Sequence, residues 1–147
     1  MKMKEAGFRF KDHTADILIE SWGKDLNEAF EQSALSVMAI ISPDLNKIKS
    51  EVSKKIALKA EDKEALLFDF LSEFLYIFDV ENLIFKTVKV NYIKKTNSNY
   101  EISAIAKGEK FNLEKHEIGT EVKAITYSQM KIEENEEKTE INLVVDI

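Results

Sequence analysis

Apolar residues recur at three- and four-residue steps in two segments of this 147-residue chain, and this periodicity constrains the fold most strongly. Asp25 and Asp62, acids suited to helix N-caps, precede the two segments, and Ser42-Pro43 follows the first. Most of the remaining apolar residues alternate with polar ones, which indicates strands. The order of strands, helix, strand, helix and further strands predicts an α+β fold, with two helices packed on a mixed or antiparallel sheet.

The predicted elements cover most of the chain. The apolar stripe of the first helix comprises Leu26, Phe30, Ala34, Val37 and Ile41, and that of the second comprises Leu67, Leu71, Phe74 and Phe78. The predicted strands are residues 8–11, 17–22, 52–60, 84–93, 100–107, 122–127, 130–134 and 139–147, with a hairpin turn at 96–99. No repeat or linker interrupts this pattern, so residues 1–147 are predicted to form a single domain.

Composition excludes several classes of function. The chain contains no cysteine, which excludes disulfide scaffolds, thiolate zinc sites and cysteine nucleophiles. Its formal charge is −6 and Arg9 is its one arginine, so strong direct nucleic-acid binding is not expected. No apolar run resembles a secretory signal or a membrane span, and a cytoplasmic location without membrane association is expected.

The densest polar segment is DHTAD at residues 12–16. In an extended chain Asp12, Thr14 and Asp16 share one face and His13 takes the other. Two close carboxylates suit a hard cation, which prefers oxygen ligands. A turn, in which Asp and Thr bond to nearby backbone groups, is the commoner explanation of such spacing alone.

The chain ends with an acid beside an apolar strand, at Asp146 and Ile147. Asp146 is either a solvated residue at a strand exit or part of an oxygen-rich sheet edge. Pairing Asp16 with Asp146 would build a carboxylate-rich cation site from two distant parts of the sequence. Sequence spacing leaves both interpretations open.

Lys123 alternates with Val122 and Ala124 in a predicted strand, so it is either a solvated lysine, the commoner case, or a cation directed at a partner. The two histidines, His13 and His116, are too few for a confident zinc site. Each histidine alone is more often a packed or surface residue than a ligand or base. The scattered glycines form no phosphate loop, and no nucleophile elbow or triad spacing is present.

With these residues in view, the sequence resembles the archease family over nearly its whole length. The motifs that carry the resemblance are DHTAD at 12–16, WG at 22–23, LNEAFEQ at 26–32, LLF at 66–68, EFLY at 73–76, GE at 108–109, KH at 115–116, GTEVKAITY at 119–127 and DI at 146–147. Phe74 stands where many family members have Trp, a core-type replacement.

The resemblance implies an accessory protein and not a stand-alone enzyme. Archeases are cofactors of the RtcB-type RNA ligase of tRNA splicing and RNA repair, which uses GTP and manganese to guanylylate its own histidine before it joins RNA ends. They promote this guanylylation and allow repeated turnover of the ligase.

The resemblance also implies a divalent cation site, for calcium, manganese or magnesium. Carried over by position, its ligands are Asp16, Asp146 and Ile147, the last through a main-chain or terminal oxygen. Lys123 is implied to contact or activate the ligase, and Asp12 and His13 border the site.

Three alternatives remain open at this point. The first is a metal-dependent hydrolase that uses Asp12, His13, Asp16 and Asp146. The second is a general chaperone-like binding module for nucleic-acid-modifying enzymes. The third is direct RNA binding through the lysine-rich segment 86–95, which would be weak and steeply salt-dependent, and which the net charge disfavours.

Overall fold

The computed structural model describes residues 5–12 and 15–147 of the chain. Its elements are β1 (Gly7–Asp12), β2 (Asp16–Gly23), α1 (Leu26–Ile41), a 3-10 turn (Leu45–Lys47), β3 (Val52–Ala60), α2 (Lys63–Glu81), β4 (Leu83–Thr96), β5 (Asn99–Lys110), β6 (Ala124–Ile125), β7 (Lys131–Glu134) and β8 (Thr139–Asp146). This order confirms the predicted α+β architecture with two helices.

The strands form two antiparallel sheets where the sequence had suggested one sheet. The first has the order β1-β2-β8-β6, with β7 also paired to β8, and the second has the order β3-β5-β4. β8 belongs to the first sheet because it pairs with β2, which lies near the opposite end of the described chain. Strand periodicity in a sequence does not indicate which distant strands pair, so it did not predict two separate sheets.

Both helices begin at the predicted aspartates. Asp25 Oδ1 accepts a hydrogen bond from the Glu28 amide at 2.9 Å, and Asp62 Oδ1 accepts one from the Ala65 amide at 2.7 Å. Glu28 Oε1 in turn accepts from the Lys24 amide at 3.1 Å, which makes an acidic capping box with its second bond one residue before the N-cap. No helix in the described ranges is long and apolar enough to cross a bilayer.

Helix α1 is the more enclosed of the two helices, since nearly every residue from Ser33 to its end is buried. An aromatic chain then links α1 through α2 to β4. Phe30 and Phe70 have ring centroids 5.9 Å apart, Phe70 and Phe74 5.1 Å, and Phe74 and Phe85 5.6 Å. Phe74 is fully buried at the centre of this chain, which confirms its expected core position.

The predicted strand at 122–127 was too long. Only Ala124–Ile125 pairs in regular register with β8, and the bonds on either side of it are irregular. After Ile125, the Thr126 hydroxyl donates to the Val144 carbonyl at 2.6 Å, and the Val144 amide donates to the Ser128 carbonyl at 3.1 Å. The side chain of Thr126 therefore replaces a main-chain donor and bends the strand away from β8.

Replacement of Phe74 tests this core. Phe74→Ala removes the central ring of the aromatic chain, and we expect the free energy of unfolding to fall by about 3–5 kcal/mol in urea titrations. Phe74→Trp overfills the same volume, with an expected loss of about 1–3 kcal/mol. Tyr76→Ala, two residues away on the same helix and 58% exposed, is the control and should change stability by less than about 0.5 kcal/mol. A similar loss for Phe74→Ala and Tyr76→Ala would contradict this description of the core.

Candidate functional site

The antiparallel pairing of β2 with β8 places Asp16 directly opposite Asp146. Directly opposed residues in an antiparallel pair have Cβ atoms about 4.5–5.5 Å apart and project to the same face of the sheet. The two acids that were predicted to meet are therefore neighbours, although 130 positions separate them in the numbering.

The last residue lies at the same edge. The Ile147 amide donates to the Ala15 carbonyl at 3.2 Å, which continues the β2–β8 ladder by one step. On the other side of β8, the Lys123 amide donates to the Asp146 carbonyl at 2.8 Å, and Ala124 is the register partner of Asp146. The structure thus brings Asp16, Asp146, Ile147 and the main chain of Lys123 together.

The face that carries both acids is the one directed away from the core. Along β2, Ile17, Ile19 and Ser21 are buried, whereas Asp16 and the residues that alternate with it are partly exposed. Asp146 is exposed at the end of β8. An ion or a partner protein can therefore reach both carboxylates without a change in the fold.

Glu20, the other acid on this face of β2, forms ion pairs with nearby cations, whereas Asp16 and Asp146 do not. Glu20 lies 3.0 Å from Arg9 and 3.2 Å from Lys11. Burial raises the pKa of Glu20, but the hydrogen bonds and charges of Arg9 and Lys11 outweigh it and hold the pKa below its usual value. Within the described ranges, Asp16 and Asp146 have no hydrogen bond or ion pair from any side chain.

Two like charges directly opposite each other in a sheet destabilise it, and a bound cation would relieve that repulsion. Carboxylate and main-chain oxygens are the ligands that calcium, magnesium and manganese prefer. The described residues contain no cluster of three or more His, Cys, Asp or Glu side chains, so a cation here would need backbone or terminal oxygens as well. The oxygens at Ile147 are of that kind, and the donor set fits the expected cation.

Lys123 is exposed and directly precedes β6, the short strand that pairs with the end of β8. Its ammonium forms no ion pair with any described residue, so it does not neutralise Asp16 or Asp146. The backbone of Lys123 therefore lies next to Asp146, while its exposed ammonium has no ion-pair partner among the described residues. The predicted site residue His13 lies outside the described residues, and of Asp12 only the backbone is described, as the last residue of β1.

Sequence reasoning missed the residues that hold this edge together. Thr126 and Ser128 bond to Val144 and so fix the end of β8 from the side opposite β2. Thr126 lies within the GTEVKAITY motif, but neither periodicity nor capping singled out Thr126 or Ser128. Tyr127 between them stacks on Phe68 of α2 with ring centroids 4.4 Å apart, which joins this segment to the helix layer.

The loop that leads to Lys123 is tied to the end of α1. The amides of Gly119 and Thr120 donate to the carbonyls of Ile41 and Ile40, each at 2.8 Å, and the Ser42 hydroxyl donates to the Glu117 carbonyl at 2.8 Å. A Cβ atom on Gly119 would lie 2.1 Å from the Ile40 carbonyl oxygen, so this close approach requires glycine.

A buried carboxylate anchors the earlier part of the same loop. Glu109 accepts hydrogen bonds from Lys115 Nζ at 2.6 Å, from the Lys49 amide at 2.6 Å and from His116 Nε2 at 2.9 Å. Burial would raise the pKa of Glu109, but these three donors outweigh it and lower the pKa to about 2. The Asn112 amide donates to His116 Nδ1, so the proton of the ring lies on Nε2 and points at Glu109. His116 is therefore a packed histidine, as its isolation in the sequence indicated.

Comparisons with known proteins assign the chain's family and agree with its fold. Residues 8–147 match the archease protein family. An archease-like protein of Dictyostelium discoideum is 45% identical over 143 residues, which cover 95% of this chain and 93% of that protein. The solution structure of protein 1598 of Methanobacterium thermoautotrophicum superimposes with a TM-score of 0.80 at 30% identity, covering 96% of this chain and 99% of that one. A Thermotoga maritima protein described as an archease and "possible chaperone" shares the fold, with a TM-score of 0.57 at 21% identity over 100% of this chain and 99% of that one.

Gly119→Ala tests the attachment of the loop to α1. The added methyl group would collide with the Ile40 carbonyl, so we expect a loss of about 1–3 kcal/mol in the free energy of unfolding. Thr120→Ala keeps the main-chain bond and should change stability by less than about 0.5 kcal/mol. Equal stability of the two variants in thermal unfolding would show that the loop does not depend on this contact.

The low pKa of Glu109 leads us to expect a loss of folding stability in acid. Its pKa is lower in the folded chain, about 2, than the ordinary 4.5, so its stabilisation is complete above pH 4.5 and disappears as the pH falls through 2. Urea unfolding should show about 3 kcal/mol lost over this window, and Glu109→Gln should abolish that part of the pH dependence. Glu117→Gln, whose side chain is half exposed, is the control and should keep the full pH dependence.

Proposed function

This chain belongs to the archease family, and we propose that it is an accessory protein that activates an RtcB-type RNA ligase. In this proposal it promotes guanylylation of the ligase and allows each ligase molecule to join many RNA ends. The site of action is the sheet edge formed by Asp16, Asp146, Ile147 and Lys123, which we call the acidic edge.

The single observation that carries the proposal is the direct opposition of Asp16 and Asp146 in the β2–β8 ladder. Asp16 and Asp146 have no side-chain partner among the described residues, and two opposed carboxylates of this kind lower stability because they repel each other. A local arrangement that works against stability is expected at functional sites, where a ligand or a partner can complete it.

A divalent cation would be held by the carboxylates of Asp16 and Asp146 and by an oxygen of Ile147. When bound, it would supply positive charge that fixes the two acids and gives the edge a defined shape for contact with the ligase. The β2–β8 and β6–β8 ladders orient the ligands from both sides of the same strand. Placement on paired strands limits the motion of the ligands more than placement on loops would.

Lys123 would act on the partner and not on the cation. The Lys123 amide donates a hydrogen bond of 2.8 Å to the Asp146 carbonyl, which fixes the backbone at this position. The side chain is exposed, and its ammonium forms no ion pair with the described residues. A lysine in this state can contact an anionic group, such as a nucleotide phosphate or a carboxylate of the ligase. The acidic edge would thus present both signs of charge to one partner surface.

Cation binding can be tested on the isolated chain, because it should reverse the order of stability of the unmodified chain and one variant. With chelator present, Asp146→Asn removes like-charge repulsion and should raise the free energy of unfolding by about 0.2–1 kcal/mol. With calcium at a hundred times its dissociation constant, the unmodified chain should gain about 2.7 kcal/mol and the variant much less, so the order of stability reverses. Manganese and magnesium are tested in the same way, and an order that no cation reverses would rule out the cation site.

Activation is testable with a cognate RtcB-type ligase, manganese and limiting GTP. We expect the chain to raise the number of joined RNA ends per ligase well above one, and to raise the rate at which labelled GTP is transferred to the ligase. Asp16→Asn and Lys123→Ala should each reduce this stimulation at least tenfold without loss of stability. Asp79→Asn on α2 and Lys49→Ala are exposed controls of matched chemistry and should stimulate fully.

Several outcomes would contradict the proposal. Full stimulation by both Asp16→Asn and Lys123→Ala would remove the site assignment. Absence of stimulation by the unmodified chain would remove the ligase assignment, and capture of several unrelated nucleic-acid-modifying enzymes would then favour a chaperone-like module. Hydrolysis of a phosphoester by the chain alone with manganese would favour the hydrolase.

A further inference from the structure

The outer face of the second sheet collects lysines from all three strands. The register of β3, β5 and β4 places Lys55 and Lys89 on either side of Ile105, and Lys59 and Lys94 on either side of Glu101. On the opposite side of β3 and β5, Ile56 and Ile102 are buried and face the core. Lys107 lies further along β5 on the same outer side. We call the surface formed by Lys55, Lys59, Lys89, Lys94 and Lys107 the lysine face.

Most of this positive charge is not neutralised. Within the described ranges Lys55, Lys89 and Lys107 form no ion pair. Lys59 and Lys94 share one carboxylate, Glu101, at 3.2 Å and 4.0 Å. Five lysines and one acid therefore face solvent together in a chain whose overall charge is −6.

An aromatic ring lies among these lysines. Tyr92 is 41% exposed, and the Lys94 ammonium lies 4.6 Å from its ring centroid. Tyr92 also lines a shallow groove of about 270 Å³, together with Ala57 and Lys59 of β3 and Glu101 of β5. An exposed ring beside a groove and several ammonium groups offers one surface for stacking and another for phosphate.

We propose that the lysine face binds single-stranded RNA, with phosphates on the lysines and a base stacked on Tyr92. Charge complementarity selects a polyanion, and the exposed ring selects one whose planar faces are accessible, as in single strands but not in duplexes. An acidic protein would meet the lysines but would leave the ring without a stacking partner. The choice of RNA over DNA rests on the proposed ligase function, whereas the rest of the proposal rests on the geometry of this sheet.

The net negative charge of the chain argued against RNA binding in the analysis of the sequence. The register of β3, β5 and β4 explains why net charge is a poor guide to this surface. Lysines on alternate positions of three neighbouring strands add on one face, where Glu101 is the acid in their register rows and Glu31 of α1 approaches the edge beside Lys89. The local field at a surface, and not the sum over the chain, determines whether a polyanion is attracted. Binding through so few charges is expected to be weak, which agrees with the expected absence of strong nucleic-acid binding.

The test is fluorescence anisotropy of a labelled 12-nucleotide oligouridine titrated with the whole chain, without any ligase. Five lysines offset by one carboxylate give about four effective contacts, so the logarithm of affinity should fall with the logarithm of salt concentration with a slope of about −3. Affinity should therefore drop by about 60-fold between 50 mM and 200 mM salt. A blunt-ended RNA duplex, the DNA strand of equal length and polyglutamate are measured beside it.

Matched variants locate the binding. Tyr92→Ala should weaken oligouridine binding about tenfold, whereas Tyr76→Ala, which removes an even more exposed tyrosine on α2, should not. The double variant Lys55→Gln, Lys89→Gln should lower both affinity and the salt slope. Lys24→Gln, Lys138→Gln makes the same change in net charge on other surfaces and should leave both unchanged. Thermal unfolding checks that all four variants fold.

No detectable binding at 50 mM salt would overturn the proposal, as would equal effects of the two double variants. Tighter binding of polyglutamate would assign the face to an acidic protein, and tighter binding of duplex or DNA would likewise overturn the RNA assignment. Because the assay contains no ligase, its failure would leave the activation proposal untouched, and failure of activation would leave an observed RNA affinity in place.

Discussion

The β2–β8 pairing is the interaction on which the rest of the site depends. It joins strands from the two ends of the described chain, makes β8 an internal strand of its sheet, and sets Asp16 against Asp146. Because side chains alternate along a strand, a slip of one residue would turn these acids to the opposite face and the apolar partners outward. The burial of Ile17, Leu143 and Val145 therefore determines the register, and the register places the charges.

The other half of the acidic edge is held by a loop that has little regular structure of its own. Its anchors are polar groups: the carbonyls at the end of α1, the Ser42 hydroxyl and the buried carboxylate of Glu109. These bonds satisfy helix-terminal and loop groups that would otherwise be left without partners. The same contacts position Lys123 next to Asp146, so loop stability and site geometry depend on one set of bonds.

The two sheets present different charges to solvent. The first carries the acidic edge, where Asp16 and Asp146 lie side by side, and the second carries the lysine face around Tyr92. Both surfaces lie on paired strands with a common core behind them, so neither needs a conformational change to become accessible. Under the two proposals, the chain would offer a cation-dependent contact to one partner through the acidic edge and a weak electrostatic contact to a polyanion through the lysine face.

Local patterns in the sequence were sufficient to predict the types of element and both helix starts, at Asp25 and Asp62, because periodicity and capping depend on neighbouring residues. The sequence also offered Asp16 and Asp146 as candidate ligands. Only the tertiary structure showed which strands pair, how short β6 is, what Glu109 does and that lysines cluster on one face. These features arise from contacts between residues far apart in the chain, for which a single sequence carries no distance information. The sequence alone thus determined which groups were available, and packing of the two sheets on the helices decided which of them meet.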